Sequence, residues 1–304
     1  MNMLGSESLS KKTKKIALGV GAAVIAIAVP ALAGTPIFHN QGYISGMNGT
    51  NLDADCNVMQ SDPNNAATHY SVGDPNSIYV NTNFTGTSHR YHAMVRKTGA
   101  YSAQGDQGYY SWAFRLKSTW DFSQQGYVLG QFIADYTNQT SCGEDWMPTT
   151  MVWLYGNSLR TRVKNGSVCN QHTLPNDNAL TTGNSGWVMP TTLGGGTALA
   201  VTAGTWHTIQ LGVKWASDNT GYFKLWYDGT KVFEQYNIAT SISDWRSYEF
   251  QVGLYSNKWY DDKVLVGGQG FRELWVDRIA INDTTNLGGC TSAFQYANPS
   301  NGCW

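Results

Sequence analysis

Phe250-Gln251-Val252-Gly253-Leu254-Tyr255-Ser256-Asn257-Lys258-Trp259-Tyr260 opens with strict alternation. On an extended chain Phe250, Val252 and Leu254 fall on one side, and Gln251, Gly253 and Tyr255 on the other. A strand of this kind covers a core with one face and presents Gln, Tyr and then Asn and Lys to water. Gly253, between the two polar side chains, is expected to let a ligand approach the sheet closely.

The period of two recurs along the chain. His89 to Lys97 sets Tyr91, Ala93 and Val95 against Arg90, His92 and Met94. Gly108 to Lys117 sets Tyr110, Trp112, Phe114 and Leu116 against Tyr109, Ser111, Ala113 and Arg115. Tyr127 to Tyr136 sets Val128, Phe132 and Ala134 against Leu129, Gln131, Ile133 and Asp135. Thr150 to Tyr155 is short and apolar, and Leu159 to Lys164 carries Arg160, Arg162 and Lys164 on one face. Trp206 to Trp215, Gly221 to Tyr227, Thr230 to Tyr236 and Gly270 to Ile281 complete the strands, with Asp228-Gly229 as a hairpin turn. Gly34 to Ser77 reads as irregular, with one short strand near Asn40 to Ser45. Gln171 to Gly204 reads as a long functional loop. No segment of any length has the 3.6-residue period. The expected fold is all-β: a jelly-roll, concanavalin-like sandwich of two antiparallel sheets, one of them curved into a concave groove.

Of the 304 residues, Met1 to Ala33 are expected to form a cleaved export signal. Four lysines between Lys11 and Lys15 precede an apolar run, which ends in Pro30-Ala31-Leu32-Ala33. Residues 34–304 then form one secreted domain, expected to be monomeric. A formal net charge of −1 with 13% charged residues argues against nucleic acid and membrane surfaces as partners. The 12 Trp and 17 Tyr suit sugar rings instead, whose C–H patches stack on aromatic faces. Export permits disulfides among the five cysteines. Cys290 with Cys303 and Cys142 with Cys169 close plausible loops, leaving Cys56 over.

If the apolar faces meet in one core, the opposite faces gather Arg90, His92, Gln131, Gln251, Tyr255, Arg160, Arg162 and Lys164. This basic, amide-rich set suits a polyanionic sugar chain. Paired carboxylates for glycoside hydrolysis are missing. Glu273 and Asp277 stand roughly 13 Å apart on one strand, beyond the ~5 to 9.5 Å that such pairs span. Asp53 and Asp55 in an Asn/Gly-rich loop, or Asp277, are candidate ligands of a structural calcium ion, and no cofactor is required.

Three segments, Trp206 to Trp215, Gly221 to Gly229 and Gly253 to Trp259, together with Gly130-Gln131-Phe132-Ile133, resemble the secreted jelly-roll polysaccharide lyases of the glucuronan lyase type (polysaccharide lyase family 20). The resemblance is strongest from Tyr109 to Ile281. It implies endo-acting cleavage of β-1,4-linked polyglucuronate by β-elimination. Gln131, aided by Arg90, would neutralise the uronate carboxylate. Tyr255 would act as base and then acid, and His92 would assist it. Arg162, Asn257, Lys258 and Tyr260 would bind substrate. Related alginate lyases often carry Gln-x-His on the glutamine strand, but Ile133 stands at that place here, so any histidine comes from elsewhere, His92 before His89. The alternatives are a lyase for another uronan such as alginate, or a lectin-like module without catalysis.

Overall fold

The computed structural model describes residues 36–40, 56–59, 77–84, 91–138, 146–169, 186–188, 199–257, 259 and 262–282. Fourteen strands follow one another: β1 (Pro36–Asn40), β2 (Cys56–Met59), β3 (Ile78–Asn83), β4 (His92–Ser102), β5 (Gln107–Leu116), β6 (Gly126–Asp135), β7 (Trp146–Tyr155), β8 (Ser158–Lys164), β9 (Gly186–Val188), β10 (Trp206–Lys214), β11 (Gly221–Tyr227), β12 (Thr230–Ile238), β13 (Tyr248–Tyr255) and β14 (Phe271–Asn282). They form two seven-stranded antiparallel sheets. The front sheet runs β2-β4-β13-β6-β7-β8-β9. The back sheet runs β1-β14-β5-β10-β11-β12, with β3 also on β14. From β1 to β6 the chain alternates between the sheets. The result is a jelly-roll sandwich around one core.

Period-two alternation builds that core. Tyr110, Trp112, Phe114 and Leu116 of β5 face Phe132, Phe250, Val252 and Leu254 of the front sheet, all nearly inaccessible. Phe132 stacks on Phe250 at 4.9 Å and meets Tyr110 edge-on at 4.6 Å and Trp215 at 4.7 Å. The buried phenol of Tyr110 is satisfied by Ser102 Oγ at 2.5 Å and by Trp215 Nε1, which donates to it at 3.2 Å. Such pairs add to the burial term of each ring. The turn between β11 and β12 has Asp228 and Gly229 both at positive φ, 46° and 82°. That fits the twist of a tight hairpin.

Strict alternation fails on β6. Val128 was expected on the core side and Leu129 outside, and the structure reverses both. Leu129 lies in the core, and Val128 packs on the front face with Met94, Met151 and Trp153. The cause is a bulge between Val128 and Gly130 in the ladder with β7, which inserts one residue and inverts the parity of everything beyond it. Gly130 faces Trp112, and a Cβ there would come within 2.6 Å of the indole ring. β13 carries a second irregularity between Val252 and Tyr255. Here Gly253 has φ of +143°, and a Cβ would meet the Ala93 carbonyl oxygen at 2.3 Å. Gly253 is therefore required by the backbone and its contact with β4.

Three further differences concern whole elements. β2 and β3 were not expected, although Ile78 and Val80 alternate with Tyr79 and Asn81. β1 ends at Asn40, where the expected first strand begins, and residues 41–45 lie outside the described residues. The segment 171–204 contributes β9 to the edge of the front sheet, and its far end pairs with the turn between β7 and β8: Leu159 N donates to Leu199 O, and Val201 N donates to Asn157 O. The export signal, Asp53, Asp55, Cys142, Cys290 and Cys303 also lie outside the described residues, while Cys169 is disulfide-bonded.

Gly130→Ala should destabilise the fold by about 1–3 kcal/mol, the usual range for overpacking a rigid core. The expected result in urea denaturation is a lower midpoint at an unchanged slope.

Candidate active site

The ladder registers order the front face into rungs. One rung is Arg160 of β8, Trp153 of β7, Val128 of β6, Tyr255 of β13 and His92 of β4. The next is Arg162, Met151, Gln131, Gln251 and Arg96. Between the rungs the chain advances two residues on β7 and β8, three on β6 and four on β13 and β4. The bulges take up the difference and bend the sheet. Without the parity change at Gly130, Gln131 would share the core side with Tyr127 and Leu129.

Tyr255 is half-buried and meets His92 edge-on, with ring centroids 5.0 Å apart and planes at 73°. Tyr91 flanks it at 6.2 Å. The residues after Tyr255 turn into the core and anchor the strand end. Ser256 N donates to Tyr91 O at 2.7 Å, and Ser256 Oγ pairs with Thr82 Oγ1 at 2.9 Å. Trp259 is fully buried against Phe84 and Tyr127. Burial pushes the phenols of Tyr127 and Tyr248, which lie in the core, up to about 12.

On the neighbouring rung Gln131 Nε2 donates to Gln251 Oε1 at 2.8 Å, and Gln251 Nε2 donates to Glu249 Oε2 at 3.1 Å. Arg96 ion-pairs with the other oxygen of Glu249. Arg162 is 6% exposed, donates to Met151 Sδ at 3.3 Å and lies over the Trp153 ring. Burial pulls its guanidinium down to about 9, so it is a cation at neutral pH. Arg160 lies over the Tyr155 ring at 4.5 Å. The face thus combines cations, amides, a Tyr–His pair and an apolar floor of Met94, Val128, Met151 and Trp153.

Of the residues expected at the site, Tyr255, His92, Gln131, Gln251, Arg160 and Arg162 share this face. Asn257 follows it, half-buried, two residues after Tyr255. Arg90, His89, Lys258 and Tyr260 lie outside the described residues. Arg96 and Glu249 join the front face, each continuing the alternation one step beyond the expected residues Met94 and Gln251. Ile133 faces the same side as Gln131 and lines a cleft of about 240 Å³ with Tyr101, Trp146, Trp245 and Glu249. Glu273 and Asp277 sit on the back sheet. Glu273 accepts from the Tyr79 phenol at 2.7 Å, and Asp277 accepts from the Arg278 backbone N–H at 2.7 Å. Among the described residues no group of three His, Cys, Asp or Glu is placed to hold a metal ion.

A family model described as polysaccharide lyase matches residues 39–280. Among solved structures, the endo-β-1,4-glucuronan lyase of the fungus Trichoderma reesei is 34% identical. The match covers 83% of this chain and 97% of that one, with a TM-score of 0.62. The alginate lyase vAL-1 from a Chlorella virus is 12% identical over 73% of this chain and 89% of its own, with a TM-score of 0.48. No curated protein matches the chain. With the family match running through nearly the whole described sandwich, the chain belongs to the polysaccharide lyases.

Proposed function

We propose that this lyase cleaves β-1,4-linked polyglucuronate internally by β-elimination, outside the cell and without a cofactor. The observation that carries the reading is the pairing of two rungs on one face: Tyr255 against His92 on the first, and Gln131 bonded to Gln251 on the second. Similarity to the Trichoderma reesei glucuronan lyase supports the substrate, and the cations Arg160 and Arg162 suit a chain with one carboxylate per sugar.

Elimination removes the C5 proton, forms the C4=C5 double bond and breaks the C4–O4 bond. The C5 proton becomes acidic only when charge on the adjoining carboxyl group is neutralised. Gln131 performs that step by hydrogen bonding, with Arg162 holding the chain in register. In a D-glucurono ring the C5 hydrogen and O4 lie on the same side. One group can therefore take the proton and return it to O4. Tyr255, projecting from the anchored end of β13, serves as that group, and His92 supports the phenol edge-on. The mechanism uses no carboxylate pair, in keeping with the position of Glu273 and Asp277 on the other sheet.

Mixing the protein with polyglucuronate should raise absorbance near 235 nm as unsaturated uronate ends form. Silence on polyglucuronate together with a signal on alginate would replace the substrate, and silence on both would sink the reading. Tyr255→Phe should lower kcat by roughly 10²- to 10⁴-fold, the usual contribution of an acid–base group, while polyglucuronate still binds in calorimetry. Arg162→Gln should act differently, raising KM by about tenfold with a smaller change in kcat, as expected for loss of a charge-assisted contact of about 1.5 kcal/mol.

A further inference from the structure

Four side chains on the front face form a hydrogen-bonded row with a single direction. Gln131 donates to Gln251 at 2.8 Å, Gln251 donates to Glu249 at 3.1 Å, and Arg96 donates to Glu249 from the other side. The direction follows from chemistry at the two ends. A guanidinium only donates, and a carboxylate paired with it only accepts. Glu249 therefore draws the Nε2 group of Gln251 toward itself, which turns Gln251 Oε1 toward Gln131. Gln131 must then offer Nε2, because two carbonyl oxygens facing each other would repel. The row leaves Gln131 with Oε1 buried and without a hydrogen-bond partner, and with one N–H still to give. An amide edge of this kind, one donor beside one acceptor, matches a protonated carboxyl group and opposes an ionised one.

We infer that Glu249, held by Arg96, is a positioning residue that acts through Gln251 to set which edge of the Gln131 amide meets the substrate. The inference rests on the reading of Gln131 as the group that neutralises the uronate. It gives Glu249, the carboxylate that follows the two glutamines along the face, a task that needs no contact with the sugar.

Glu249→Gln tests this, because it reverses the row instead of merely weakening it. Arg96 can still only donate, so the new amide must turn its oxygen to Arg96 and its nitrogen to Gln251. Gln251 then accepts with Oε1 and donates Nε2 to Gln131, whose Oε1 is drawn away from the substrate edge. The expected result is a fall in kcat of about 10- to 100-fold, the effect of a wrongly presented buried hydrogen-bonding group, with KM for polyglucuronate and the thermal unfolding midpoint close to wild type. Adding Arg96→Met to Glu249→Gln removes the force that reverses the row and should recover part of the lost kcat. In a Gln131→Ala background Glu249→Gln should cause no further loss. Wild-type turnover in Glu249→Gln, a further loss on adding Arg96→Met, or an undiminished effect in the Gln131→Ala background would each overturn the positioning role. Full turnover in Gln131→Ala alone is a separate outcome. It would remove Gln131 from the mechanism and the role of Glu249 with it, whereas the other failures leave Gln131 in place.

Discussion

The packing of the Trp112 ring against Gly130 is the contact on which the front face depends. A Cβ at Gly130 would come within 2.6 Å of the indole, so no other residue fits without moving a fully buried tryptophan. The bulge at this point lets Leu129 fill the core and still brings Gln131 to the outside two residues later. Core packing and the position of a side chain on the front face are thus one problem. The same holds on β13, where Gly253 takes up the irregularity that keeps Tyr255 opposite His92 and Gln251 opposite Gln131.

Much of the polar equipment on this face is deeply buried. Gln131 and Gln251 are each 1% exposed, and His92 and Arg162 are 6% exposed. Desolvating such groups opposes folding unless hydrogen bonds compensate. The row from Gln131 to Arg96 offsets part of that cost for the two glutamines, and Trp153 and Met151 give Arg162 a polarisable surround. A dry, preorganised set of donors interacts more strongly with developing charge than the same groups in water. In the proposed mechanism, stability given up in the free protein is recovered as differential stabilisation when a uronate carboxyl group arrives.

Legibility from sequence followed the period of two and stopped where that period breaks. The core faces of β5, β8 and β13 were readable residue by residue, because uninterrupted alternation in the sequence leaves one choice of inward face. The Asp228-Gly229 turn was readable because few residue pairs accept two positive φ values. On β6 the apolar residues Val128 and Leu129 are adjacent, so hydrophobicity alone could not say which faced inward. Only Trp112, from a strand of the other sheet, decides it. Arg96 and Glu249 were within reach of the alternation argument, each two residues beyond a residue already placed. Their pairing was not, since it depends on the irregular register between Glu249 and Gln251. The cross-strand rungs themselves are long-range facts, fixed by which strands neighbour which, and a period-two reading carries no such information.

In the proposed mechanism these features divide the chemistry between two kinds of residue. Tyr255 needs rigidity at its base, which Ser256 and Trp259 supply by tying the next turn into the core. Gln131 needs a fixed orientation, because an amide that can rotate by 180° offers a donor and an acceptor in either order at little difference in energy. A neutral neighbour cannot break that symmetry, since another amide rotates with it. A carboxylate at the end of the row does, and an arginine behind it holds the carboxylate in place. Glycoside hydrolysis spends carboxylates on the scissile bond itself. Elimination of a uronate has no such requirement and would suffer from a free negative charge beside the carboxyl group it must neutralise. Placing Glu249 two residues away, saturated by Arg96 and Gln251, supplies the directing effect of a charge while keeping that charge from the reacting sugar.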